Sequence, residues 1–176
     1  MMLSTKKSES KQQLAFSLAS FLMGKRETPV FLCVGSDKVV GDLLGVIVGE
    51  TLLKKYHIKA PVFGSVDYSV NGKNLQTVVE YIRKKYTGPI VVIDGILGGL
   101  DEIGYVKYYP SGTIPGGEFG KGKYVGDFSI LGVVEASGID ALTFLKSVRL
   151  KTIVDVADFI ADSINMAYKF GLNLLN

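Results

Sequence analysis

Short apolar runs at regular intervals limit what this chain can fold into. They are Val30-Phe31-Leu32-Cys33-Val34, Val62-Phe63-Gly64-Ser65-Val66 and Ile90-Val91-Val92-Ile93. Runs of this length, rich in Val and Ile and bounded by Gly or Pro, are strands buried on both faces. The stretches between them carry apolar residues at helical spacing. Leu43, Leu44, Ile47, Val48 and Leu52 predict a helix over 42–56, and Leu75, Val78, Val79 and Ile82 predict one over 71–86. Strand, helix, strand, helix, strand implies crossover connections and a mostly parallel sheet, which makes the fold class α/β. A further helix is expected over 11–24, with strands over 104–109 and 128–136 and closing helices over 140–148 and 152–170. Residues 1–10 read as a frayed leader and 11–176 as a single domain, a size that supports a full core.

In an open α/β sheet, ligands bind outside the carboxyl ends of the strands. Two aspartates fall there. Asp42 follows the first run through Gly35-Ser36-Asp37 and Gly41, and Asp94 ends the third run. Both are expected to line one crevice, where a carboxylate pair can do acid/base work. Asp42 has a competing role, because Asp at a loop-to-helix junction is a favoured helix N-cap. Asp37 fits a turn by the same token. Gly95, Gly98 and Gly99 leave room for a backbone or substrate to come close. Gly45 and Gly49, four apart on the 42–56 helix, point to close packing against a strand.

The stretch 110–127 carries Gly112, Gly116, Gly117, Gly120, Gly122 and Gly126. A loop this long inside a compact domain is usually functional or disordered. It is expected at the rim of the crevice, with Gly117 among its binding residues. Asp127, at its end, is either a third acid or a turn residue. Glu135, in the apolar run 130–136, is either solvent-facing on an edge strand or a buried partner.

Other chemistries are disfavoured. The single Cys33 lies in an apolar strand, and the single His57 ends a predicted helix, so no Cys/His zinc set exists and a Ser-His-Asp triad is remote. The loop 35–42 matches neither G-x-G-x-x-G nor the Walker pattern, and Asp37 and Asp42 would repel a phosphate. The 20 Lys and Arg against 17 Asp and Glu give +3, too little and too scattered for nucleic acid. No apolar run reaches the ~20 residues that span a bilayer. A reducing, cytoplasmic location suits one unpaired cysteine. No cofactor and no metal is expected, although Asp42, Asp94 and Asp127 together would suit Mg²⁺ or Mn²⁺. The expected partner is a protein or peptide, and a homo-oligomer is compatible with the sequence.

Several segments resemble the sporulation proteins of the YyaC family, relatives of the spore germination protease. They are Cys33-Val34-Gly35-Ser36-Asp37 with Gly41-Asp42 and Leu44-Gly45, then Val62-Phe63-Gly64, Val91-Val92-Ile93-Asp94, Pro115-Gly116 with Val125-Gly126-Asp127, and Arg149-Leu150. The resemblance implies a three-layer α/β/α sandwich, shared with the hydrogenase-maturation endopeptidases. It implies an atypical aspartic-type peptidase with its two aspartates at Asp42 and Asp94. The family's polar residues after each aspartate are replaced here by Leu43 and Gly95-Ile96. The alternative is a non-enzymatic sporulation protein that uses the same fold to bind a partner.

Overall fold

The computed structural model describes residues 1–25, 27–115, 123–138 and 148–173. A six-stranded, mostly parallel sheet forms the centre, in the order β1-β5-β6-β4-β2-β3. Its strands are β1 (Met2–Ser4), β2 (Val30–Cys33), β3 (Val62–Phe63), β4 (Ile90–Gly98), β5 (Tyr105–Tyr109) and β6 (Phe128–Ala136). The pairs β2–β3, β2–β4 and β4–β6 are parallel, whereas β5 runs antiparallel to both β1 and β6. Four α-helices accompany it among the described residues: α1 (Ser8–Met23), α2 (Leu44–Glu50), α3 (Leu75–Lys85) and α4 (Leu150–Asn173).

Successive strand residues point to opposite faces, so each buried strand feeds two cores. Phe31, Cys33, Val91, Ile93, Phe128 and Ile130 pack beneath α1, α2 and α4. Val30, Leu32, Ile90 and Val92 pack beneath α3, through Leu75, Val78, Val79 and Ile82. Helices therefore cover both faces of the sheet. Cys33 is fully buried, and that burial pushes its thiol well above the ordinary range, so it serves as a small hydrophobe.

Several expectations are corrected. Residues 1–10 are not a frayed leader. Met2–Ser4 pairs with β5 at Lys107, Val106 and Tyr105, buries Leu3, and leads into α1. Three residues are too short for periodicity to reveal, and the partner strand supplies the order. The second run ends at Phe63, because Gly64 has φ +96° and the chain turns there. The helix expected over 42–56 is three segments: a 3-10 turn at Val40–Asp42, α2, and a π turn at Thr51–Lys55. The run at 90–93 extends through Asp94 to Gly98, so Asp94 lies inside β4 rather than at its end. Pairing with β6 overrides the loop signal of Gly95 and Gly98. The helix expected over 140–148 falls almost wholly outside the described residues.

The glycine pair on α2 is explained by contact. A Cβ on Gly45 would lie 2.0 Å from the Val34 carbonyl oxygen, and one on Gly49 would lie 1.7 Å from that of Gly64. Only glycine lets α2 sit this low over the end of β2. That close fit fixes where the preceding turn, with Asp42, comes to rest.

Candidate functional site

The chain leaves β2 for β3 on one side of it and reaches β4 on the other. The strand order thus reverses at β2, and the mouth beyond the carboxyl ends of β2 and β4 is the topological switch point. β2 stops at Cys33, opposite Ile93, while β4 runs on for five more residues beside β6. The step between the short and the long strand is the candidate crevice.

Asp42 closes the turn above β2. Its carbonyl accepts the Ser36 N–H at 2.9 Å, and a Cβ on Gly35 would sit 2.2 Å from that oxygen. Asp42 is not a helix cap: Leu43 holds the N-cap position of α2, and no side chain caps that helix. The Asp42 carboxylate is half-buried and makes no hydrogen bond to a described residue. Desolvation raises its pKa from 3.8 to about 6.

Asp94 is 3 % exposed and pairs across the sheet with Leu131. By strand alternation it shares the α3 face with Ile90 and Val92. Gly95 faces the other way. A Cβ there would meet Leu44 Cβ at 3.4 Å and the Gly41 carbonyl oxygen at 3.5 Å. The residue before Asp42 therefore lies against the residue after Asp94, so the fold brings together two backbone segments about 50 residues apart.

The other expected residues separate. Asp37 is exposed in the turn after β2, where Ser36 Oγ accepts the Lys38 N–H at 3.3 Å and takes the side-chain role in that turn. Gly98 ends β4, with Glu102 Oε2 2.7 Å from its Cβ position. Gly117 lies outside the described residues. Asp127 is at the far end of the sheet. Its N–H donates to Ile90 O at 2.8 Å, its Oδ2 accepts the Ile90 N–H at 2.8 Å, and Arg83 Nη1 stands 3.6 Å away. Ile90 and Asp94 are four residues apart along β4, roughly 13 Å. Because β5 is antiparallel to β6, the loop 110–127 must leave and return at the amino ends of the parallel strands. Its stem, closed by Thr113 N–H to Val125 O and Val125 N–H to Thr113 O, is not at the crevice mouth. The three-aspartate cation site is excluded by the same distance, and no cluster of three or more His, Cys, Asp or Glu suited to a metal occurs among the described residues.

Glu135 is the buried alternative, since β6 is central and its carboxylate accepts the Ala136 N–H. His57 is exposed, with φ +46°, where the π turn ends. No described helix is long and apolar enough to cross a membrane. Two surface grooves lie elsewhere. One, of about 430 Å³, lies between α1 and strands β5 and β6 by Phe16, Tyr108 and Phe128, and one of about 390 Å³ lies by Lys6, Lys11, Asp155 and Asp158. Neither reaches Asp42 or Asp94. Sequence reasoning missed Glu102, whose Oε2 accepts the Gly99 N–H at 2.8 Å and bonds Lys107 Nζ at 2.7 Å. Its spacing of three from Gly99, as in a capping box, was the available signal.

The family model for the protein of unknown function DUF1256 matches residues 2–163, and the chain belongs to that family. The uncharacterized protein YyaC of Bacillus subtilis (strain 168) is 28% identical over 158 residues, covering 88% of this chain and 77% of the relative.

Proposed function

We propose that this chain is a peptidase-like hydrolase whose switch-point crevice uses Asp42 to move protons, with the buried Asp94 of β4 as the second acid of the site. One observation carries the reading: the Asp42 carboxylate is half-buried, makes no hydrogen bond to a described residue and has its pKa raised to about 6. A carboxylate left in that state is costly unless it is used. Near neutral pH it is mostly ionised yet basic enough to accept a proton, which suits a general base.

The step is amide hydrolysis. Asp42 takes a proton from water as the water oxygen bonds to the scissile carbonyl carbon. The C–N bond then breaks, and the leaving nitrogen takes the proton that Asp42 accepted, which returns the carboxylate to its starting state. The resemblance of the Asp42 and Asp94 segments to the germination protease supports a protein or peptide substrate. The resemblance of the sequence motifs to sporulation proteins, with the single unpaired Cys33, is what suggests a place in the cytoplasm of sporulating cells.

The test is cleavage of a pool of unstructured peptides, small spore proteins included, by wild type, Asp42→Asn and Asp94→Asn. Wild type is expected to cleave, with the rate rising through pH 6. Asp42→Asn should lose at least 100-fold while keeping its thermal transition. No cleavage by wild type, or equal cleavage by Asp42→Asn, would overturn the reading in favour of a partner-binding protein.

A further inference from the structure

Beyond Ile93, β4 has lost β2 as a neighbour but keeps β6. The hydrogen-bonding phase of its free side can be followed residue by residue. Pro89 O and Ile93 O accept the Val30 and Val34 N–H groups, at 2.9 and 2.7 Å. Ile90 and Gly98 instead bond towards β6, Ile90 with Asp127 and Gly98 with the Ser137 N–H at 2.8 Å. In a parallel sheet alternate residues serve alternate neighbours. Odd-numbered residues of β4 therefore present N–H and C=O to the β2 side, and even-numbered ones to β6.

The next odd residues are Gly95 and Leu97. Neither has a bond on that side to any described residue. At Gly99 the pattern closes, because its N–H already reaches Glu102 Oε2 at 2.8 Å. The open edge is thus bounded by the Val34 bond below and the Glu102 bond above. Within it, two N–H and two C=O groups stand in the mouth, where Gly95 lies against Gly41, the residue before Asp42. Unpaired backbone groups in half-buried positions are uncommon in native proteins.

We propose that this edge is the substrate-binding element: an extended peptide adds as a strand along Gly95–Leu97, in line with β2. The inference rests on the hydrolase reading for its consequence and on backbone valence for its site. Strand addition takes affinity from main-chain bonds and so favours unstructured segments of varied sequence. A peptide carbonyl bonded to the Gly95 N–H would be polarised next to Asp42, as a donor aimed at developing oxyanion charge requires. Gly95 and Gly98 keep the flanks of the edge narrow.

The test uses full-length Asp42→Asn protein, to prevent turnover, with fluorescein-labelled Thr-Val-Thr-Val-Thr-Val-amide. Saturable binding is expected. Methylating single peptide nitrogens should weaken it about tenfold at alternate positions and leave the positions between unchanged. By NMR hydrogen exchange, the free protein should show Gly95 and Leu97 amides exchanging faster than Ile96. Peptide should slow those two by tenfold or more. No binding to millimolar peptide, a methylation scan without alternation, or Gly95 and Leu97 amides already protected would each overturn the edge. Alternating binding without cleavage by wild type would leave the edge standing and remove the hydrolase reading. Cleavage without alternation would do the reverse.

Discussion

The two ends of the sheet treat the same side chain in opposite ways. At the amino end, Asp127 accepts the Ile90 N–H, donates its own N–H to Ile90 O and stands beside Arg83. It ties the loop stem to β4. At the carboxyl end, Asp42 is held by its backbone alone, and its carboxylate is desolvated without a bond to a described residue. Both follow a glycine where a loop gives way to a regular element, β6 in one case and α2 in the other, and their local sequences, Gly126-Asp127 and Gly41-Asp42, look alike. Location in the sheet, not residue type, separates a structural carboxylate from a candidate reactive one.

The contrast can be broken most forcefully at Gly45. Its Cβ position is 2.0 Å from a backbone oxygen, which cannot move aside as a flexible side chain would. Gly45→Ala should cost about 3 kcal/mol in denaturant unfolding. It should also lift the Asp42 turn off β2, so that the Asp42 titration returns towards an ordinary aspartate. Next comes Asp127→Ala. It orphans the Ile90 N–H and should cost about 1–2 kcal/mol, most of it recovered by Asp127→Asn, which keeps an acceptor. Arg83 adds little, since its ion pair is half-exposed.

Asp42 should behave in the opposite sense. Its folded pKa, about 6, lies above the unfolded 3.8, so the folded state binds the proton more tightly. The stability it contributes is full below the unfolded value and is lost as pH rises through about 6. Asp42→Asn should remove that slope. At pH 7 it should be more stable than wild type by roughly 1 kcal/mol, after allowance for water around a half-exposed carboxylate. Paired unfolding curves between pH 4 and 8 read this directly. A gain in stability on removing Asp42 and a loss on removing Asp127 would set the two ends apart by sign. The smallest effect is expected at Gly95→Ala. The added methyl meets Leu44 and Gly41 at ordinary contact distances, and unfolding should shift by less than about 0.5 kcal/mol.

Much of this was legible in the residues. The apolar runs marked β2 and the first half of β4, the spacing marked α3, and Gly45 with Gly49 marked a helix lying close on a strand. The limits have physical causes. Gly95 and Gly98 carry loop propensity, and only pairing with β6 makes them strand. Met2–Ser4 has too few residues to show a period. Asp127 could not be assigned to an end of the sheet until β5 was known to run antiparallel to β6, because connection direction is a property of topology. The raised pKa of Asp42 depends on desolvation by a turn whose height is set by contacts of Gly35 with Asp42 and of Gly45 with Val34, which exist only once α2 has packed on the end of β2.

The most direct measurement is the carboxyl titration of Asp42, followed by carbon NMR in protein labelled at aspartate and assigned with Asp42→Asn. A midpoint near 6 is expected. A midpoint near the ordinary ~4 would contradict the idea that the fold holds this carboxylate desolvated and ready at the crevice.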